Sequence, residues 1–179
     1  MIKSYLLELN DVHREMIFDW RNHESIRKVM FNSNPIPFAT HIKWFDAVKK
    51  DDKKKFFVAY YGENNPIGLC SFVDIDENSK KAYYGMYASP IAFKGSGAII
   101  QFLALEKFFI EFEFNKIYCD VLSFNIDAMK LHKKFNFKEE GFFREDFFNG
   151  HKYIDVIRFS LLKKEWLRSR DKFLKIFNA

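Results

Sequence analysis

Apolar and polar positions along this chain change period several times, and each change marks an element. Residues 3–9 alternate loosely and predict a first strand. Asn10 or Asp11 then caps a helix predicted to reach about Val29, with Ile17, Phe18, Trp20 and Arg21 near its middle. Residues 32–37 read as a loop. Thr40 opens a second helix whose apolar set is Ile42, Trp44, Phe45 and Val48. Strands follow at 55–61, 67–74 and 81–88, separated by the turns Gly62-Glu63-Asn64-Asn65 and Glu77-Asn78-Ser79. The order in the first half is β-α-α-β-β-β.

The second half alternates differently. Gly95-Ser96-Gly97 opens a long helix predicted to reach about Phe114. A short buried strand follows at 116–121, then a helix at 127–135 capped by Asn125. Two strands, 137–148 and 151–161, flank Asn149-Gly150, a strong hairpin signal. An amphipathic helix, about 164–178, closes the chain. The sum is an α/β (α+β) chain whose middle strands are joined by helices.

Length and composition narrow the class. A chain of 179 residues is close to one ordinary domain, and the expected unit is 1–179. An apolar fraction of 48% beside 30% charged residues is a folding composition, not that of a disordered tail or a coiled-coil rod. No apolar run approaches the ~18 residues of a membrane helix; Lys107 and Glu111 interrupt the greasiest stretch. The first residues show no secretion signal, and the two cysteines, Cys70 and Cys119, read as small buried residues in a reducing cytoplasm. The net charge is +5, but 22 of the 29 cations are Lys and they are scattered. That speaks against a nucleic-acid reader and leaves room for a small anionic ligand.

The candidate chemistry begins at a glycine turn. The strand Tyr83-Tyr84-Gly85-Met86-Tyr87-Ala88 leads through Phe93-Lys94-Gly95-Ser96-Gly97-Ala98 into a helix start. Such a start carries unpaired N–H groups and a partial positive charge, so it suits phosphate. The turn is neither a Walker loop nor a dinucleotide fingerprint. Gly85 inside a strand suggests a bulge or a close backbone approach.

The order of elements, the turn Ala92-Phe93-Lys94-Gly95-Ser96-Gly97, and Asn125, Ala128 and His132 followed by Phe135–Gly141 resemble the GNAT superfamily of N-acetyltransferases. Ala92 stands where that family usually has Arg or Gln, and His132 where it usually has Tyr. The resemblance implies a central, mostly antiparallel twisted sheet of about seven strands, flanked by helices, with two splayed central strands. It implies acetyl-CoA as co-substrate and no metal. Met86, Tyr87 and Ala88 would hold the pantetheine; Lys94, Gly95, Ser96, Gly97 and Ala98 the pyrophosphate; Asn125 and Ala128 would complete the cofactor site.

Trp20-Arg21-Asn22-His23, Arg27, Met30, Ile36, His41 and Trp44-Phe45 resemble the subgroup acting on UDP-4-amino-4,6-dideoxy-N-acetyl-β-L-altrosamine in pseudaminic-acid biosynthesis. The segments around Phe143-Arg144-Glu145, Lys152–Val156 and Glu165-Trp166 resemble it too. That implies a cytoplasmic enzyme of a sugar pathway serving flagellin glycosylation. Its partners would be acetyl-CoA and a nucleotide-linked amino sugar, with neither nucleic acid nor membrane, and an oligomer is compatible. Acetyltransferases of ribosomal-protein N-termini share parts of the pattern, so a peptide or small-amine acceptor is the alternative.

The resemblance also places the chemistry. His132 is expected to protonate the departing thiolate, its ordinary pKa of about 6.5 suiting transfer near neutrality. Asp120 is a second candidate, drawing a proton from the amine. Arg21 and His41 are expected to meet a diphosphate. Met30, Phe31, Trp44 and Tyr83 would line a slot for a uracil ring, and Tyr87 would orient the sugar.

Overall fold

The computed structural model describes residues 3–177. Seven strands form one sheet in the order β1-β2-β3-β4-β5-β7-β6. They are β1 (Ser4–Glu8), β2 (Lys55–Tyr61), β3 (Pro66–Asp76), β4 (Lys81–Ala88), β5 (Lys116–Leu122), β6 (Lys138–Phe148) and β7 (Tyr153–Leu162). Every neighbouring pair is antiparallel except β4 with β5. The helices are α1 (Arg14–Asn22), α2 (Glu24–Arg27), α3 (Phe38–Val48), α4 (Ser96–Glu106), α5 (Ile126–Lys134) and α6 (Lys163–Phe177). This is the architecture the resemblance implied.

Strand alternation sends side chains to two cores. Val58 and Leu69 join Ile17 and Trp20 of α1 and Phe45 and Val48 of α3. Phe57, Ala59, Cys70 and Phe72 point the other way, toward Ile100 and Leu105 of α4 and Trp166 and Phe173 of α6. The terminal helix therefore packs on its own chain. The Phe135 and Phe173 rings stack at 4.4 Å, and Glu106 accepts from Trp166 Nε1 and ion-pairs with Arg170.

Several predicted boundaries move. The helix expected over 11–29 is three pieces: a 3-10 turn at Asp11–His13, then α1, then α2. His23 adopts an extended conformation, and its ring accepts the N–H of Ser25 to cap α2. The second helix starts at Phe38 rather than Thr40. The long helix becomes π-helical at Lys107–Glu111 and stops short of Phe114. The last helix starts at Lys163; its expected end at residue 178 lies outside the described residues. Gly85 is no bulge. It pairs in regular register with Ser71, and a Cβ there would sit 3.0 Å from Ser71 Oγ, so the close approach is the correct reading.

Candidate active site

The site grows from one failure of pairing. β4 and β5 are bonded only at Lys81–Lys116, Ala82–Ile117 and Tyr83–Tyr118. Past that point β4 continues to Ala88, held by β3 on its other edge, while β5 continues to Leu122 beside β7. The facing edges part and leave backbone groups without a ladder partner. Such an edge accepts an extended amide chain as if it were a strand. At the vertex the Asp120 N–H donates to the Tyr83 hydroxyl at 3.3 Å, so a phenol stands where the ladder would have continued. Burial pushes the Tyr83 hydroxyl up to about 12, so it keeps its proton at neutral pH. Tyr83 thus marks the base of the opening as well as its wall.

A cavity of about 890 Å³ runs through this opening. It reaches from α4 and α5 on one side of the sheet to α1, α3 and the 29–37 loop on the other. Most of the residues singled out in the sequence meet here. Arg21, Met30, Phe31, His41, Trp44 and Tyr83 line it, as do Met86, Tyr87, Ala88 and Gly97. Asp120, Asn125, Ala128 and His132 complete the set. Lys94, Gly95, Ser96 and Ala98 do not line it; they form the turn beside its edge. Gly95 has φ of 106° with open space around a would-be Cβ, so glycine is there for conformation. No described backbone acceptor takes the N–H of Gly95 or Gly97. Asn125 spends its side-chain oxygen on the Ala128 N–H, capping α5.

Three expected roles change on inspection. His41 is buried, and its Nε2 lies 2.8 Å from the Arg14 carbonyl, which only an Nε2–H can satisfy. Burial lowers its pKa. The ring is therefore a neutral strut between α3 and α1 with no proton left for a diphosphate. Asp120 is no free base. Arg158 donates to both of its oxygens, at 2.8 and 2.7 Å. His132 does not keep its ordinary pKa either. It is buried against Tyr84, Phe137 and Phe159, and desolvation pulls its pKa down to about 4. At neutral pH almost none of it is imidazolium.

The expected slot residues Met30, Phe31, Trp44 and Tyr83 all line the cavity. Trp44 is half-buried, with its ring edge-on to Phe56. Phe31 is more exposed and meets Phe147 of β6 edge to face. Arg21 is the distinctive cation. One guanidinium nitrogen donates to the Asn32 carbonyl at 2.8 Å, while buried Nη1 has no partner. Among the described residues no carboxylate pairs with it. Burial lowers its pKa, and burial also pushes the nearby Tyr87 hydroxyl well up.

Sequence reasoning missed two positioning groups. The Asn22 side chain both donates to the Ile36 carbonyl and accepts the Ile36 N–H, at 3.1 and 2.7 Å. Gly68 lies beneath Tyr87 and Ala88; a Cβ there would stand 2.4 Å from the Tyr87 carbonyl oxygen. The Asn22 contact spans 14 residues, which no local pattern reveals.

A sheet opened between two parallel strands, beside a helix start with free amides, is the arrangement that the resemblance implied for an acyl-CoA-dependent transferase. The comparisons agree. The acetyltransferase (GNAT) domain family matches residues 7–157, and the chain belongs to that family. It is 32% identical over 130 residues to the acetyltransferase PseH of Campylobacter jejuni, covering 73% of this chain and 80% of that protein. It is 26% identical over 162 residues to the spermidine N(1)-acetyltransferase of Vibrio cholerae, covering 90% and 92%. A crystal structure of a spermidine N-acetyltransferase from Vibrio cholerae, with CoA and spermine, superposes with a TM-score of 0.85. That alignment spans 92% of this chain and 98% of the other at 26% identity.

The chain is therefore an acetyl-CoA-dependent N-acetyltransferase. Its residues fit the co-substrate: the parted edges suit the pantetheine amides and the α4 start suits the phosphates. When bound, acetyl-CoA supplies an activated acyl carbon, and the protein supplies position. Among the described residues no cluster of three or more His, Cys, Asp or Glu is close enough to hold a metal. No described helix is long and apolar enough to cross a membrane.

Proposed function

We propose that the chain acetylates the 4-amino group of a UDP-linked 4-amino-4,6-dideoxy sugar, a step of the pseudaminic-acid type. The observation that carries this reading is Arg21. A half-buried guanidinium with a free, buried Nη1 and no carboxylate partner is costly until an anion meets it. A nucleotide diphosphate is such an anion.

The rest of the cavity supports an anionic acceptor over a polycation. Among the described residues, its acidic lining is Asp120, already claimed by Arg158, and exposed Asp127. Spermidine, the acceptor named for the Vibrio cholerae relative, would find little negative charge here. A peptide N-terminus would face the same deficit. Met30, Phe31 and Trp44 offer apolar faces for a base ring.

In this reading Met86, Tyr87 and Ala88 present the free edge of β4 to the pantetheine. Gly95, Ser96, Gly97 and Ala98 cradle the pyrophosphate, with Lys94 beside them. Asn125 and Ala128 set the start of α5. Tyr87 and Tyr83 lie where the amine arrives, and the neutral amine attacks directly.

Thiol release from acetyl-CoA, measured against a panel of acceptors, tests this. The panel holds a UDP-4-amino-4,6-dideoxy sugar, its dTDP counterpart, spermidine and a ribosomal N-terminal peptide. Turnover confined to the nucleotide sugars is expected. Turnover with spermidine or the peptide alone would sink the proposal.

A further inference from the structure

Strand alternation leaves a gap in the face of the sheet under α1 and α3. Leu69 of β3 and Tyr87 of β4 sit opposite each other, and both pack toward that side. Two residues along, Ser71 sits opposite Gly85, so this pair faces the same way. Two further, Val73 sits opposite Tyr83. Gly85 therefore lies between Tyr83 and Tyr87 and contributes no side chain of its own. Ser71, Gly85 and both tyrosines line the cavity.

A hydroxyl borders this gap. Outside its own chain neighbours, a Cβ on Gly85 would meet one heavy atom within 4 Å, Ser71 Oγ at 3.0 Å. The backbone does not demand a glycine here: positive φ occurs at Gly62, Gly95 and Gly150, not at Gly85. Ser71 is buried, and among the described residues its hydroxyl donates to the Gly85 carbonyl at 3.5 Å. That is a long bond, and a hydroxyl oxygen can also accept, so most of its capacity is unspent. On the same side the cavity takes apolar faces from Met30, Trp44, Phe56 and Leu69. A polar group set in an apolar wall fixes orientation and identity, because a ligand without the matching group leaves it unpaired.

We infer that Ser71 is a specificity-determining residue, whose hydroxyl bonds a polar substituent beside the reacting amine of the acceptor, and that Gly85 keeps this hydroxyl open to it. The identity of that substituent rests on the nucleotide-sugar reading: it is the C3 hydroxyl, next to the C4 amine. β3 lies one strand spacing, about 4.8 Å, behind β4. A group on the carbon beside the amine can bridge that separation while the amine stays at the free edge of β4. A methyl on residue 85 would stand between the two hydroxyls.

Steady-state kinetics, with each substrate varied separately and below the melting transition, tests this. Ser71→Ala is expected to lower kcat/KM for the acceptor about tenfold, the equivalent of one lost hydrogen bond, with KM for acetyl-CoA unchanged. Gly85→Ala is expected to give a similar loss, and the double variant no more than either single one. The 3-deoxy form of the acceptor sugar supplies the complementary deletion. The wild type is expected to use it about tenfold less well than the parent sugar, and Ser71→Ala to use the two equally. Wild-type kcat/KM for the sugar in Ser71→Ala, or an equal 3-deoxy penalty in both proteins, overturns the inference and leaves the acceptor reading standing. If another amine proves to be the acceptor, the sugar reading falls and Ser71→Ala is compared with the wild type on that amine. A loss confined to the acceptor constant then sustains the role of Ser71, and no loss overturns it.

Discussion

The histidines show how far a residue's role depends on what surrounds it. His13, His41 and His132 are all buried, and burial lowers the pKa of each. In the unfolded chain they titrate near 6.5, so between there and their folded values the unfolded state holds more protons. Stability therefore rises with pH through that window and is lost as pH falls from about 6.5 toward 4. For His132 alone, a drop from 6.5 to about 4 is worth on the order of 3 kcal/mol once pH falls below the folded value. Urea unfolding at pH 7, 6, 5 and 4.5 is expected to show a falling midpoint, and His132→Gln is expected to flatten part of that slope. An unchanged slope would mean that His132 titrates normally. The position of His132 was legible in the sequence from its spacing after Asn125. Its environment was not, because Tyr84, Phe137, Phe159 and Cys119 come from four separate stretches of chain. His41 shows the same limit: nothing in a helical pattern reveals that its Nε2 reaches back 27 residues to Arg14.

At the scale of elements, the proposed acceptor wall is a loop held as if it were regular structure. Asn22 bonds both backbone groups of Ile36, Arg21 holds the Asn32 carbonyl, and Arg27 donates to the carbonyls of Asn22 and Ser33. Arg27 thereby fixes the segment carrying Met30 and Phe31 while leaving the Nη1 of Arg21 unclaimed. Arg27→Ala is expected to raise KM for the acceptor about tenfold or more while KM for acetyl-CoA stays nearly constant; steady-state kinetics with each substrate varied separately would check the split. Equal rises in both constants would point to general loosening. The sheet side of the opening depends on Gly68 instead. A methyl there collides with the Tyr87 carbonyl oxygen and, at 2.5 Å, with Ile100 Cδ1. Gly68→Ala is expected to destabilise the fold by roughly 1–3 kcal/mol by overpacking, seen as a lower Tm. Strands, the Asn149-Gly150 hairpin and the helix start at the glycine turn were all readable from period and turn chemistry. The break at His23 and the Gly68 contact were not, since each is imposed by a partner distant in sequence.

In the whole molecule, the two faces of the sheet divide the work. One face, under α1 and α3, carries the proposed acceptor wall. The other carries the larger core, where α4 and α6 meet through Trp166, Phe173 and the Glu106 ion pair. No residue of α6 lines the cavity. The sequence left open whether this helix would pack on its own chain or on a partner, because an amphipathic face does not name what covers it. Its burial here makes a prediction that separates stability from catalysis. Trp166 is fully buried, stacks against Phe135 and Phe173, and gives its N–H to Glu106. Trp166→Ala removes that volume and the hydrogen bond to Glu106, a loss of roughly 3–5 kcal/mol. Trp166→Phe keeps most of the volume and loses only the hydrogen bond, about 1 kcal/mol. Denaturant melts are expected to rank the two in that order. Below the transition, kcat per folded molecule is expected to match the wild type for both, because the strands that part at Tyr83 are anchored by β3 and β7, not by α6. A fall in kcat in still-folded Trp166→Phe would show instead that the large core sets the width of the opening.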